Sequence, residues 1–224
     1  FKRKISDTLY YNSLKGQGII LIGSRQVGKT TLLLELEQRL KTEGIKTLYH
    51  NLELPGDLDK FSHGVEAYVD SLPTQGVDIK RASGKGRLYI LIDEFHYIPG
   101  AGHFLKAIFD VFPGIQIIAT GSSSPEIQKS LKESLVGRKL IKKVYPLDFT
   151  EFLCFRSGGQ EKLENIDPHK PHSEVKLQRF VKIFDEFLLW GGMPRCVLEN
   201  DPEERRNQLE EIVGSYLQKD IKGL

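Results

Sequence analysis

Cysteine, methionine and tryptophan are nearly missing from this chain: its 224 residues include two cysteines, Cys154 and Cys196, one methionine and one tryptophan. Two cysteines cannot build a disulfide framework, and neither a secretory apolar segment nor a glycosylation sequon accompanies them. The chain therefore reads as a protein of the reducing cytoplasm. Long apolar runs are missing too. The longest are strand-sized, short of the roughly 18 residues that a membrane helix needs, so no membrane role is expected of this chain. Nor is there a charge excess of one sign: 32 Lys and Arg stand against 30 Asp and Glu. That balance names no partner and neither implies nor excludes nucleic acid. There is no internal repeat and no low-complexity tract. The chain opens on Phe1 rather than Met, which we read as an ordered fragment of a longer chain.

What is present is an ordinary globular composition, 39% hydrophobic and 28% charged, with enough length for one main domain and a smaller appendage. Five short apolar, β-branched runs alternate with helix-length segments, the pattern of an α/β fold with a parallel sheet covered on both faces. The runs are GIILIG (18 to 23), a strand within KTLYHNLEL (46 to 54), LYILI (88 to 92), IQIIAT (115 to 120) and KLIKKVYPL (139 to 147). Continuous apolarity suits strands buried on both faces. Leu33, Leu36 and Leu40 recur at helical spacing after the first run, a helix is expected near 57 to 72, and Leu105, Ile108 and Phe112 share a face of another. Ser124 and Pro125 read as the cap and first residue of a further helix, and Asp148 with Glu151 as a capping box. Residues 156 to 175 are polar and broken by Gly and Pro, a linker. The expected organisation is a core over 1 to 155, the linker, and a helical lid over 176 to 224.

The stretch GSRQVGKTT (23 to 31) fits GxxxxGK[ST] and falls where the first strand hands over to the first helix. That context is what phosphate binding requires. Gly23 and Gly28 let the backbone turn and approach closely. The amides of Ser24, Arg25, Gln26, Val27 and the helix start, through Thr31, face an anion, while Lys29 reaches the β- and γ-phosphates and Thr30 can hold Mg²⁺. LYILIDEF then places Asp93 and Glu94 at the end of a second buried strand. Ligands of open parallel sheets bind beyond the carboxyl ends of the strands, so Asp93 is expected to face the Mg²⁺ held by Thr30, and Glu94 to polarise an attacking water. The alternative, surface acids after a strand, loses ground once the phosphate loop is accepted.

The phosphate loop, LYILIDEFHYIP, IIATGSSS, GRKLIKKVYPLDFTEFL and GGMPRCVL stand in an order that resembles the AAA+-like P-loop ATPases of bacteria and archaea, over nearly the whole chain. The resemblance implies a P-loop NTPase core with a five-stranded parallel sheet of order 5-1-4-3-2 and a small C-terminal helical lid. It implies Mg-ATP as ligand, Lys29 and Thr30 as Walker A residues, Asp93 as the Mg²⁺ partner and Glu94 as catalytic base. Thr120, or Ser122 just after it, matches the residue that senses the γ-phosphate. Ser122 and Ser124 read equally well as turn residues capping the next helix. Arg138 matches an arginine finger acting on a neighbouring subunit, against the reading of a solvated arginine in a basic stretch. Pro194 and Arg195 match the lid residues beside the adenine and the phosphates. In related proteins a further C-terminal domain follows the lid.

Weaker features take plainer readings. Asp167, His169 and His172 are interrupted by prolines and read as loop rather than metal site. His96, two residues after Glu94, reads as a structural histidine between aromatics in preference to one that touches the site. FKRK at the start reads as a solvated helix start, in preference to nucleic-acid binding or an Arg3 near the adenine. The expected function is hydrolysis of Mg-ATP that drives or times a conformational change. Its alternative is a nucleotide-gated switch with little turnover. The absence of NKxD disfavours GTP. Self-association, and a DNA or protein partner, are left open.

Overall fold

The computed structural model describes residues 2–76, 87–122, 139–159 and 173–217. These fall into two units, a sheet unit of Ile5–Ser24 and Lys29–Val144, and a helical unit of Phe1–Lys4, Arg25–Gly28 and Tyr145–Leu224.

The sheet unit is built on five strands, β1 (Gly18–Ile22), β2 (Thr47–Asn51), β3 (Leu88–Asp93), β4 (Ile115–Gly121) and β5 (Lys139–Lys143). All neighbouring pairs are parallel and their order is β2-β3-β4-β1-β5. This is the order that the resemblance implied. Every residue of β1, β3 and β4 is buried, as expected of strands covered on both faces. α1 (Lys4–Ser13) precedes the first strand, and between the strands run α2 (Lys29–Thr42), α3 (Pro55–Ser62), α4 (Gly64–Ser71) and α5 (Ala101–Val111). The helix α2 buries Leu32, Leu33, Leu36 and Leu40, and α5 buries Phe104, Leu105 and Ile108. Ile20, Ile90, Ile92, Ile117, Phe61 and Tyr68 share the main core with Leu105 and Ile108.

Two boundaries differ from the sequence-based expectation. The single helix expected over 57 to 72 is two, because Gly64 adopts a left-handed conformation (φ +89°) that ends one α-helical run and begins another. β5 stops at Lys143 rather than 147, because its partner β1 ends at Ile22; one further bond runs from Val144 N–H to the Ile22 carbonyl (2.8 Å). β2 falls within the expected stretch, ending at Asn51, and Pro55 opens α3 four residues on. The helix expected from Ser124 lies outside the described residues, as does the 160–172 part of the expected linker.

The helical unit contains α6 (Phe149–Arg156), α7 (Glu174–Trp190), α8 (Pro194–Leu198) and α9 (Pro202–Tyr216). The capping box is formed: the Asp148 carboxylate accepts the Glu151 N–H (2.9 Å), and Glu151 Oε2 accepts the Asp148 N–H (3.3 Å). Leu147, Phe152, Phe155 and Val197 form a small core with Ile183 and Phe187 against it. Glu186 on α7 ties it together, 2.9 Å from Arg156 Nε and 2.7 Å from Arg205 Nη1. Gly192 has no room for a side chain: an added Cβ would lie 2.1 Å from the Leu147 carbonyl oxygen, and the Gly192 carbonyl accepts the Leu147 N–H at 2.7 Å. Among the described residues no helix is long and apolar enough to cross a membrane.

Candidate functional site

Strand register decides which polar groups meet at the carboxyl edge of the sheet. Asn51 pairs with Asp93 and Leu21 with Thr120, and the pairing of Ile92 with Ala119 carries Asp93 and Thr120 to the next rung of adjacent strands. The buried Asp93 carboxylate collects three hydroxyls there. Thr30 at the start of α2 donates to Oδ2 at 2.7 Å, Thr120 donates to Oδ1, and Tyr49 donates to Oδ2 at 3.3 Å. The Thr120 hydroxyl also accepts the Glu94 N–H at 3.1 Å, so one side chain fixes both acidic residues. Burial, and next the Asp93 charge, push the Tyr49 phenol well above its ordinary range.

Glu94 adopts a left-handed backbone conformation (φ 57°, ψ 48°). Among the described residues only Gln26 (φ 59°) joins it as a non-glycine with positive φ, and both fall within the sequence motifs. The Glu94 carboxylate sits between two nitrogens, Oε1 4.0 Å from Lys29 Nζ and Oε2 3.2 Å from His96 Nδ1. Lys29 is buried at the first position of α2, and its ammonium donates to the carbonyls of Gly23 (3.1 Å) and Ser24 (3.0 Å). The expectation that His96 is merely structural is thus corrected: its ring stacks on Tyr97 (4.7 Å) and its Nδ1 faces the carboxylate singled out as a base.

The middle of the glycine-rich loop, Arg25 to Gly28, groups with the helical unit. Val27 is buried, and its carbonyl accepts from Arg3 Nη1 at 3.0 Å. Gly28 has φ +91°, and a Cβ added there would stand 3.8 Å from Arg3 Nη1 and 3.9 Å from Pro194 Cγ. Arg25 Nε and Gln26 Oε1 are buried without a hydrogen-bond partner among the described residues. A helix does start at Lys4, and Lys2 and Lys4 are exposed, but Arg3 is only 9% exposed, which corrects the solvated reading for that residue. Pro194 opens α8, while Arg195 is largely exposed, its Nη1 3.5 Å from Glu211 Oε2. Ser122 is buried just past β4, and Thr31 is exposed on α2. Ser124 and Arg138 lie outside the described residues, as do Asp167, His169 and His172.

The sequence motifs thus converge in part: Lys29, Thr30, Asp93, Glu94 and Thr120 come together in the sheet unit, and Gly28 with Pro194 in the helical unit. Residues 15–153 match the family model described as AAA domain, which is more than half of the chain. The chain belongs to the AAA domain family. Its AAA+-like P-loop character agrees with the strand–loop–helix at 18 to 42 and with the strand order. An uncharacterized protein of Methanocaldococcus jannaschii is 29% identical over 132 residues, covering 59% of this chain and 28% of the relative. One of Haemophilus influenzae is 27% identical over 187 residues, covering 82% and 41%. The AAA domain described here therefore spans less than half the length of the curated relatives it matches. Among solved structures, PCH-2 of C. elegans gives a TM-score of 0.48 at 15% identity, covering 98% of this chain and 70% of that one. AMPPCP-bound DnaA from Aquifex aeolicus gives 0.44 at 17%, covering 98% and 65%.

Tyr49 is the site contact that sequence reading missed. The signal available was faint: alternation along β2 puts Tyr49 and Asn51 on one face, but only the register shows that the phenol reaches Asp93. Among the described residues no group of three or more His, Cys, Asp or Glu side chains could hold a metal alone. A divalent ion held by Thr30 and Asp93 would need oxygens from phosphate and water. That is how Mg²⁺ is ordinarily bound, and the two hard oxygen donors 2.7 Å apart fit it.

Proposed function

We propose that this AAA domain binds Mg-ATP and hydrolyses it to ADP and phosphate, the turnover driving or timing a conformational change. The observation that carries the reading is the hydrogen-bonded series Thr30–Asp93–Thr120–Glu94, with the Glu94 carboxylate 4.0 Å from the buried Lys29 ammonium. A phosphate-binding lysine at a helix start beside a candidate base at a strand end is what phosphoryl transfer to water asks of a protein, which has mainly to position and neutralise.

In this reading the amides of the glycine-rich loop and the Lys29 ammonium hold the phosphates, and Pro194 is assigned to the adenine. The buried, unpartnered Arg25 Nε and Gln26 Oε1 support a ligand at this loop. Mg²⁺, held by Thr30 and Asp93, would neutralise charge on the β- and γ-phosphates. Glu94 orients a water for attack on the γ-phosphorus; the bond to the ADP oxygen breaks and the water's proton passes through Glu94 to solvent. Thr120 keeps Glu94 in place through its backbone N–H. Arg138 and Arg195 stand as finger and lid sensor in this proposal. Self-association and DNA enter as variables of the assay.

The test is steady-state phosphate release with and without Mg²⁺, over a range of protein concentrations, with and without DNA. Turnover that Lys29→Ala and Glu94→Gln each abolish is expected. Tight ATP binding with phosphate release no faster than buffer would sink hydrolysis and leave a nucleotide-gated switch. One observation favours that second reading: Glu94 lies between Lys29 and His96, so its carboxylate is engaged before any nucleotide arrives. ATP analogue binding that shifts the protein's conformation without turnover is its signature.

A further inference from the structure

We propose that Arg3 is a positioning residue for the phosphate loop, pinning the Val27–Gly28 peptide so that its N–H keeps the orientation needed to meet a phosphate. The inference rests on the nucleotide-binding reading above.

The guanidinium uses all three of its nitrogens. Nη1 donates to the Val27 carbonyl (3.0 Å), Nη2 to the Tyr145 carbonyl (2.9 Å) and Nε to Glu151 Oε1 (2.9 Å). Glu151 is itself fixed. It is 8% exposed, its Oε1 also accepts the Lys4 N–H at 2.8 Å, and its Oε2 closes the capping box of α6. Arg3 therefore joins the loop to the N-terminus of a rigid helix rather than to another mobile side chain. A planar five-donor fork can do this and a single ammonium cannot.

The geometry of the peptide gives this anchor its consequence. Carbonyl and N–H of one peptide unit point in opposite directions in a rigid plane, so holding the Val27 oxygen also sets the direction of the Gly28 N–H. That plane needs holding. Gly28 sits at φ +91° with no Cβ to resist rotation, and Gln26 on the other side is already in the left-handed region. Without Arg3, the Val27–Gly28 plane can turn over and present a carbonyl oxygen to an anion. No local sequence spacing announces this, because the three partners lie 24, 142 and 148 residues away.

The test compares wild type with Arg3→Lys, which keeps a charge opposite Glu151 but loses the fork. It also includes Arg3→Met/Glu151→Gln, which leaves no unpaired buried charge and keeps an acceptor for the cap. Calorimetric titration with ATP and with inorganic tripolyphosphate is set beside amide hydrogen exchange of residues 23 to 28 in the ligand-free protein. Both variants are expected to weaken both ligands by the same factor, roughly tenfold or more, the scale of one charge-assisted hydrogen bond. Exchange should rise within 23 to 28 and not in the strands β1 to β5. A loss for ATP but not for tripolyphosphate would mean that Arg3 serves the base, and overturns the proposal. So do unchanged affinities with a lowered melting point, which mark a purely structural tie. If wild type binds neither ligand, the nucleotide reading falls by itself; unchanged loop exchange in the variants then rejects the anchor as well, and faster exchange retains it.

Discussion

Thr120→Val isolates what one hydroxyl does between the two acidic residues. Thr120 is fully buried, and valine matches its shape, so the core around β4 is kept while both hydrogen bonds go. One of them is donated to a buried carboxylate and contributes about 1.5–3 kcal/mol; the other leaves the Glu94 N–H without its acceptor, about 1 kcal/mol more. The expected loss is about 2.5–4 kcal/mol, which for a domain of this size lowers Tm by roughly 5–15 °C. Turnover should fall further than stability suggests, on the order of a hundredfold, because Glu94 is freed to move by an ångström from its left-handed position. Nucleotide affinity should change much less, since Lys29 and Thr30 keep their own bonds. Thermal melts, phosphate release and nucleotide titration on one preparation separate the three quantities. Thr120→Ser restores the hydroxyl at the cost of a methyl-sized void, about 1 kcal/mol, and should recover most of kcat. A valine variant with wild-type kcat and Tm, or a serine variant as slow as valine, refutes the assignment.

Two further outcomes follow from the same contacts. Gly192→Ala drives a Cβ into the Leu147 backbone and threatens the 2.7 Å bond between these residues; about 2–4 kcal/mol of destabilisation is expected by thermal or urea unfolding, and a loss under about 0.5 kcal/mol would contradict the close approach. His50 lies in the core between Asp57 and Tyr68, and burial lowers its pKa below the ordinary histidine value although Asp57 pulls the other way. The neutral ring then stabilises the fold fully above about pH 6.5. Stability is lost as pH falls below that, where the unfolded chain takes up a proton that the folded one resists. Melting points from pH 7.5 to 5 should decline, and less steeply in His50→Gln; equal slopes would rule out His50 as the cause.

The parts of this molecule that sequence reading reached are those governed by local pattern. β1, β3 and β4 announce themselves because strands buried on both faces are continuously apolar, and the Asp148–Glu151 box because its spacing is its mechanism. That Lys29 and Thr30 would meet Asp93 and Glu94 was legible because a strand–loop–helix junction and the end of a neighbouring parallel strand share one edge of the sheet. What escaped was set by register or by distance along the chain. The break at Gly64 is hidden because Phe61, Tyr68 and Val69 keep apolar residues at helical spacing straight across it. Tyr49 becomes a site contact only through the pairing of β2 with β3. His96 looked structural because its neighbours are aromatic, and Arg3 looked solvated because its neighbours in sequence are lysines, whereas its partners arrive from the far end of the chain.

The left-handed backbone at Gln26 and Glu94 bears on how this sequence would respond to selection. Neither side chain is suited to that conformation, which costs a non-glycine residue about 1–2 kcal/mol and is tolerated better by asparagine. A library screened for heat resistance alone would drift toward asparagine at both positions, and at 94 it would discard the carboxylate in doing so. Under the proposed reading, position 94 is thus a place where a more durable protein and a working one are different sequences, and enrichment of one at the expense of the other is a record of which property was selected.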